Sequence, residues 1–81
     1  MLRPRQIRAG RALLGLTQVD VANRAGVGIA TLRRIEASVD EVTGTAQSIS
    51  RIQRALETAG ILFIEQDESR GPGVRLRKPL P

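Results

Sequence analysis

The side chains best suited to chemistry in this 81-residue chain are its arginines, which are permanently cationic and pair with phosphate oxygens. Residues 1–38 contain seven arginines and two acidic residues, whereas residues 39–81 contain six basic and six acidic residues. The formal net charge of +5 therefore lies in the first half of the chain. Such an asymmetry is typical of a surface that contacts nucleic-acid phosphates. The alternative is an ordinary solvated surface in a chain that favours arginine over lysine.

Composition argues against most catalytic and metal-binding chemistry. The sequence contains no cysteine and no histidine, which removes disulfides, thiolate nucleophiles, thiolate metal sites and the commonest general base. It also contains no recognisable nucleophile–base pair, metal-ligand spacing or phosphate-cradling glycine loop. The sequence therefore predicts a protein that is not an enzyme and that needs no metal or cofactor.

The sequence offers no signal for a membrane or for export. The longest apolar run, residues 61–64, is far shorter than a membrane span requires. The basic residues near the N-terminus are not followed by an apolar stretch of signal-peptide length. We therefore predict a cytoplasmic protein that makes no membrane contact.

Two short helices joined by a tight turn are predicted within residues 16–36. Thr17 is a good N-cap, because its hydroxyl can accept a backbone N–H of the first turn. Gly26 ends the first helix, because glycine adopts positive φ without a steric penalty. We place the two helices at about 18–25 and about 28–37. Helices that cross steeply about a glycine turn form a helix-turn-helix, whose second helix suits the DNA major groove.

Two further helices are predicted on either side of this pair. Pro4 suits the first turn of a helix that runs to about Leu14 and ends at Gly15. Thr45 or a neighbouring residue caps a fourth helix, which has an apolar stripe and stops at Gly60. The sequence therefore predicts a single, mainly α-helical domain over residues 1–60.

The spacing of several residues resembles the lambda-repressor-like (Xre/Cro) helix-turn-helix regulators. The matching residues are Leu16-Thr17-Gln18, Ala22, Gly26-Val27, Thr31-Leu32 and Ile35-Glu36, in the order and spacing of that family. The resemblance covers about residues 5–59. It implies a four-helix DNA-binding domain and a sequence-specific regulator of transcription. Such a regulator would bind double-stranded DNA as a dimer, as a repressor or an autoregulator.

The resemblance also implies roles for individual residues. Gln18 would bind a DNA phosphate from the start of the second helix. Arg34 would donate two hydrogen bonds to guanine, while Ile29 and Ala30 would contact thymine methyl groups. Thr31 and Arg33 would bind phosphates. The predicted DNA-binding set is Gln18, Gly28, Ile29, Ala30, Thr31, Arg33 and Arg34.

A buried ion pair is implied as well. In the resembled family an arginine of the first helix commonly pairs with a glutamate at the end of the third, and Arg11 and Glu36 occupy those positions. We assign this pair a structural role, because a chain without histidine offers Glu36 no partner for acid–base catalysis.

A β-hairpin is predicted after the helices, with strands at about 61–65 and 74–78 and a frayed tail at 79–81. An isolated hairpin is marginally stable and has open edges. We therefore expect residues 61–78 to pair with the hairpin of a second subunit in a homodimer. The alternative is a hairpin that only closes the monomer core. The predicted interface residues are Ile61, Phe63, Val74 and Leu76.

Some features favour a second hypothesis, a protein-binding module that masks a partner, as an antitoxin or anti-activator does. Gly28 replaces the hydroxyl residue that usually caps this helix in the resembled family, and Asp40 and Glu41 would repel nearby phosphates. Exposed apolar residues could instead contact a second regulatory protein. These residues are Val19, Ile29 and Ala30. The adjacent arginines Arg33 and Arg34 favour DNA.

Overall fold

The computed structural model describes residues 2–39 and 43–81. Within these ranges four helices are followed by a two-stranded sheet. The elements are α1 (Pro4–Leu14), α2 (Gln18–Ala25), α3 (Ile29–Ala37), α4 (Ala46–Ala59), β1 (Ile61–Ile64) and β2 (Gly73–Leu76). The predicted fold class, a mainly helical domain with a C-terminal β-hairpin, is confirmed.

α2 begins and ends at the residues that cap it. The Asp20 N–H donates to the Thr17 hydroxyl at 3.0 Å, and the Thr17 N–H donates to the Asp20 carboxylate at 3.0 Å. The Thr17 backbone N–H, and secondly the Thr17 hydroxyl, hold the pKa of the Asp20 carboxyl below its ordinary value. Gly26 follows the helix with a φ of 69°, a left-handed conformation that glycine adopts without strain.

α3 starts at Ile29, one residue later than predicted. Gly28 is its N-cap, in an extended conformation, and has no side chain that could accept a backbone N–H. α4 differs, since the Thr45 hydroxyl accepts the Ser48 N–H at 3.0 Å. The start of α3 therefore depends on packing for its stability rather than on a side-chain cap.

The hydrophobic core lies where the four helices and β1 meet. The fully buried apolar side chains of this core are Ile7, Val21, Leu32, Ile35, Ile52, Leu56 and Ile61. Burying one such side chain stabilises the fold by about 1.5–3 kcal/mol. Because α2 packs against both α3 and α4, the core holds the helix-turn-helix pair in a defined orientation.

The hairpin packs its inner face on the helices of its own chain. β1 and β2 pair antiparallel, with Ile61 opposite Leu76 and Phe63 opposite Val74. Ile61 is fully buried, and the other three side chains are partly buried against the core. The predicted dimer contact through Ile61 does not fit this arrangement, because a fully buried side chain has no surface to offer a second subunit. All four side chains contact the core of their own chain, and dimerisation through the hairpin stays a prediction.

Both strands depart from their predicted bounds. β1 ends one residue early, and β2 runs from Gly73 to Leu76 instead of over 74–78. At the loop end of the hairpin, where β1 ends and β2 begins, the side-chain amide of Gln6 donates to the carbonyl oxygens of Ile64 and Gly73 at 3.1 and 3.0 Å. These bonds account for the strand bounds at this end. At the other end the Arg77 N–H bonds to the carbonyl oxygen of Gly60 at 2.8 Å, and the chain turns before Pro79.

Candidate nucleic-acid interface

The outward side of α3 carries two adjacent cations between small side chains. Four exposed residues share this side at helical spacing, and we call them the recognition face: Ala30, Arg33, Arg34 and Ala37. The opposite side of α3 is buried, as Leu32, Ile35 and Glu36 show. Within residues 2–39 and 43–81, neither Arg33 nor Arg34 has a hydrogen bond or ion pair. Their guanidinium groups are therefore free to bind a partner molecule.

The predicted residues at the start of α3 occupy different environments. Gly28 and Ala30 are exposed, whereas Thr31 is half-buried. Ile29 packs partly against the hydrophobic core. Of the two residues predicted to contact thymine, Ala30 is exposed and Ile29 is only partly exposed. Ala37, absent from the predicted set, joins the recognition face because it lies three and four residues after the two arginines.

Behind α3, a polar network holds the helix to the rest of the fold. The Arg11 guanidinium donates from Nε to both Glu36 carboxylate oxygens, at 3.2 and 3.0 Å, and from Nη2 to Oε1 at 2.9 Å. The side chain of Glu36 is only 3% exposed and that of Arg11 is 24% exposed. A buried carboxylate requires such pairing, because an unpaired charge in the interior is strongly unfavourable. The structure brings together the two residues predicted to form the structural ion pair.

Gln18 connects α2 to this network. It is the first residue of α2, it is half-buried, and its side-chain amide donates to Glu36 Oε1 at 3.2 Å. An amide nitrogen has two hydrogens, so this bond leaves one of them for another acceptor. The side-chain amide of Gln18 can therefore bond to Glu36 and to a molecule outside the protein at the same time.

Arg8 also belongs to this network, although it is not among the residues predicted from the sequence. One nitrogen of its guanidinium, Nη1, donates to the carbonyl oxygen of Glu36 and, at 2.9 Å, to that of Ser38. These carbonyls lie at the C-terminal end of α3, where backbone acceptors lack helical donors. Its spacing from Arg11, three residues along α1, was the signal that could have identified it. We call Arg8, Arg11, Gln18 and Glu36 the anchor network.

The features that favoured a protein-binding role are only partly at the surface. Val19 is 51% exposed on α2. Ile29 contributes part of its side chain to the core, which reduces the apolar surface that Val19, Ile29 and Ala30 could form together. Asp40 and Glu41, predicted to lie near phosphates, are outside the described residues.

Comparison with known proteins identifies one family. A family model described as HTH_3, helix-turn-helix, matches residues 7–58. The match extends from α1 almost to the end of α4 and leaves the hairpin outside it. No curated protein sequence matches the chain. In the part of the chain that the structure describes, no helix combines the length and the apolar character needed to cross a membrane.

Proposed function

We propose that the chain, which belongs to the Xre/lambda-repressor-like helix-turn-helix family of DNA-binding regulators, reads a DNA sequence through the recognition face. The observation that carries this proposal is the contrast in how the arginines of this region are used. Arg8 and Arg11 bind groups of their own chain, whereas Arg33 and Arg34 have no partner among the described residues and point to solvent. Two adjacent unpaired cations on an exposed helix suit a polyanion.

The recognition face provides both kinds of contact that sequence reading needs. Arg34 can donate two parallel hydrogen bonds to guanine O6 and N7, which discriminates against other bases by about 1–3 kcal/mol. Ala30 can contact a thymine methyl group, and its small side chain lets the helix backbone approach the bases closely. Arg33 and Gln18 then position the helix by binding phosphate oxygens.

We propose further that the protein binds DNA as a two-fold dimer that uses the outer face of the hairpin. Leu62 and Ile64 are 38% and 46% exposed, on the side of β1 that faces away from α1. Pairing of β2 with the β2 strand of a second chain is less favourable. In the two-fold registers centred on Arg75 or Leu76, Arg75 would lie opposite Arg75 or Arg77 of the second copy, and opposed like charges destabilise a sheet. Arg75 shares this outer face, opposite Leu62, but packing of two such faces does not force Arg75 to lie directly opposite a like charge.

A dimer of this kind would regulate transcription by occupying its operator. Each α3 would enter a major groove, with half-sites about one helical turn, or ~34 Å, apart. Bound protein would repress by blocking polymerase, and it would act on its own gene if the operator lies upstream of it. This role needs no small-molecule ligand.

The experiment that tests DNA reading compares two duplexes by fluorescence anisotropy at several salt concentrations. One duplex carries the DNA upstream of the gene and the other has a random sequence. We expect salt-sensitive binding to both duplexes and tighter binding to the upstream one. Salt-independent or undetectable binding to both would contradict the proposal, and capture of a partner protein would then favour the masking role.

The dimer is tested by sedimentation velocity of a variant that replaces both exposed apolar residues of β1. Leu62→Thr with Ile64→Thr keeps a residue with high β propensity at both positions, so the strand is retained while its apolar surface is lost. The control is Val19→Thr, which removes an exposed apolar side chain from α2. We expect the control to remain dimeric and the double variant to become monomeric. Equal dimerisation of the two proteins would exclude the hairpin face as the interface.

A further inference from the structure

Three arginines line a groove that the sequence analysis did not identify. Arg24 lies in the last turn of α2, and Arg51 and Arg54 lie on α4, which packs against α2. The groove has a volume of about 670 Å³. Its other lining residues are Ala25, Gln47, Ser50, Ala55 and Thr58. We call it the arginine groove, and among the described residues that line it none is acidic.

The groove adjoins the helix-turn-helix. The Arg51 guanidinium donates to the carbonyl oxygen of Gly26 at 3.4 Å. Gly26 ends α2 and lies two residues before Gly28, the N-cap of α3. Arg51 therefore lies close to the N-terminal end of α3, which is the end that would enter the major groove. A phosphate strand borders each side of the major groove, so it passes close to whatever flanks that helix.

The charge of the groove is largely uncompensated. Arg24 interacts with the exposed Asp20 one turn earlier on α2. Arg54 has no hydrogen bond or ion pair within the described ranges, and Arg51 contacts only a neutral carbonyl. Two of the three cations come from the half of the sequence that has no net charge. Folding therefore places them beside α2 and enlarges the basic surface beyond what the sequence indicated.

The types of lining residue favour phosphate over protein as the bound group. Arginine, glutamine, serine and threonine side chains commonly contact phosphate oxygens in DNA complexes. Protein interfaces depend instead on large apolar or aromatic anchors, and among the described lining residues of the groove the apolar ones are Ala25 and Ala55. We infer that the arginine groove binds phosphates of the DNA strand that borders the major groove entered by α3. This inference rests on the proposed DNA binding and extends the contact surface beyond the recognition face.

The salt dependence of DNA binding tests this inference directly. Each phosphate contact contributes about 0.9 to the slope of log K against log salt concentration. We expect Arg51→Gln with Arg54→Gln to reduce the magnitude of this slope on a random-sequence duplex by about 1.8 per bound protomer. Arg24→Gln is expected to reduce it by about 0.9.

The matched control is Arg70→Gln with Lys78→Gln, which removes the same formal charge from exposed positions in the hairpin loop and just after β2. This control is expected to keep the wild-type slope, because neither of its charges is among the residues found to line the arginine groove. Far-UV circular dichroism and urea denaturation establish that each variant is folded. If the groove variant and the control have equal slopes while the wild type binds DNA, the arginine groove has no phosphate role and DNA reading stands. If the wild type itself binds no DNA, both proposals are wrong.

Discussion

The two sides of α3 use the same residue type in opposite ways. On the buried side, Arg8 and Arg11 direct their donors to the backbone and carboxylate of Glu36. On the exposed side, Arg33 and Arg34 have no partner among the residues that the structure describes. The anchor network therefore uses charge to hold the helix, while the recognition face leaves charge unsatisfied. The comparison shows that the function of an arginine here depends on which acceptors its own fold supplies.

The physical reason for the difference is the position of Glu36. Its carboxylate is buried at the end of α3, where a charge without partners would be strongly destabilising. Arg11 and Gln18 donate to this carboxylate, and Arg8 donates to the backbone carbonyl oxygen of Glu36. No residue of α3 itself places a carboxylate on the exposed side of the helix, whose outward residues are alanines and arginines. The guanidinium donors of Arg8 and Arg11 on α1 are thus bonded inside the protein, whereas those of the recognition face remain available to a partner molecule.

The largest expected effect comes from breaking the buried side. Glu36→Ala leaves Arg11 partly buried without a counter-ion and removes the acceptor of Gln18, which should lower the free energy of unfolding by about 3–5 kcal/mol. Urea denaturation followed by circular dichroism measures this loss. Arg33→Ala is the control from the exposed side and is expected to change stability by less than about 0.5 kcal/mol. Similar losses in the two variants would remove the distinction between the two sides of the helix.

The exposed side is tested by the specificity of DNA binding. Arg34→Ala should reduce the preference for an operator over a random duplex by about 1–3 kcal/mol, because bidentate donation to guanine is lost. Arg33→Ala should weaken binding to both duplexes equally, as expected for a phosphate contact. Anisotropy titrations of both variants on both duplexes provide the comparison. Equal losses on the two duplexes for Arg34→Ala would contradict a base-reading role.

Gln18 contacts the anchor network from the edge of the candidate interface, so it belongs to both sides of the contrast between bound and unbound donors. Gln18→Ala should lower the free energy of unfolding by about 1 kcal/mol through loss of its bond to Glu36. We also expect weaker binding to every DNA sequence, since a phosphate contact is lost. Denaturation and anisotropy on the same preparation separate the two effects. A stability loss with unchanged DNA affinity would assign Gln18 to the anchor network alone.

The smallest expected effect concerns pH and the capping of α2. The folded-state pKa of Asp20 is lowered, so its ionised form stabilises the fold above the ordinary aspartate pKa of about 3.9. That contribution is lost as pH falls from about 4 through the folded-state value. Asp20→Asn keeps an acceptor for the Thr17 N–H but removes the charge. The stability difference between the wild type and this variant should be present at neutral pH and disappear in acid; a difference independent of pH would contradict the role of the charge.

Much of the helical fold could be predicted because its signals are local. Thr17 and Gly26 act within one turn of the helix that they cap, so their sequence positions alone indicate where α2 begins and ends. The positions of Arg33 and Arg34 on the exposed side of α3 follow from helical periodicity once the helix is placed. The resemblance to a known family added the pairing of Arg11 with Glu36, which no local signal contains.

The hairpin could be predicted as an element but not in its orientation. All four residues of β1 are apolar, so the usual alternation that distinguishes the inner from the outer face is absent. Packing on α1 decides that Ile61 and Phe63 face inward and that Leu62 and Ile64 face outward. Gln6 then limits the strands through bonds to residues 58 and 67 positions away in sequence.

The four helices, the glycine turn and the arginines of α3 could all be located from the amino-acid sequence, which also excludes cysteine and histidine chemistry. The folded structure was needed to show which arginines are bound internally, which face of the hairpin is buried, and that Arg24 meets Arg51 and Arg54 in one groove. The two sets of features differ in the sequence separation of the residues that interact. Helix caps and periodicity act over a few residues, whereas the acceptors of a guanidinium and the burial of a strand face depend on segments brought together by folding.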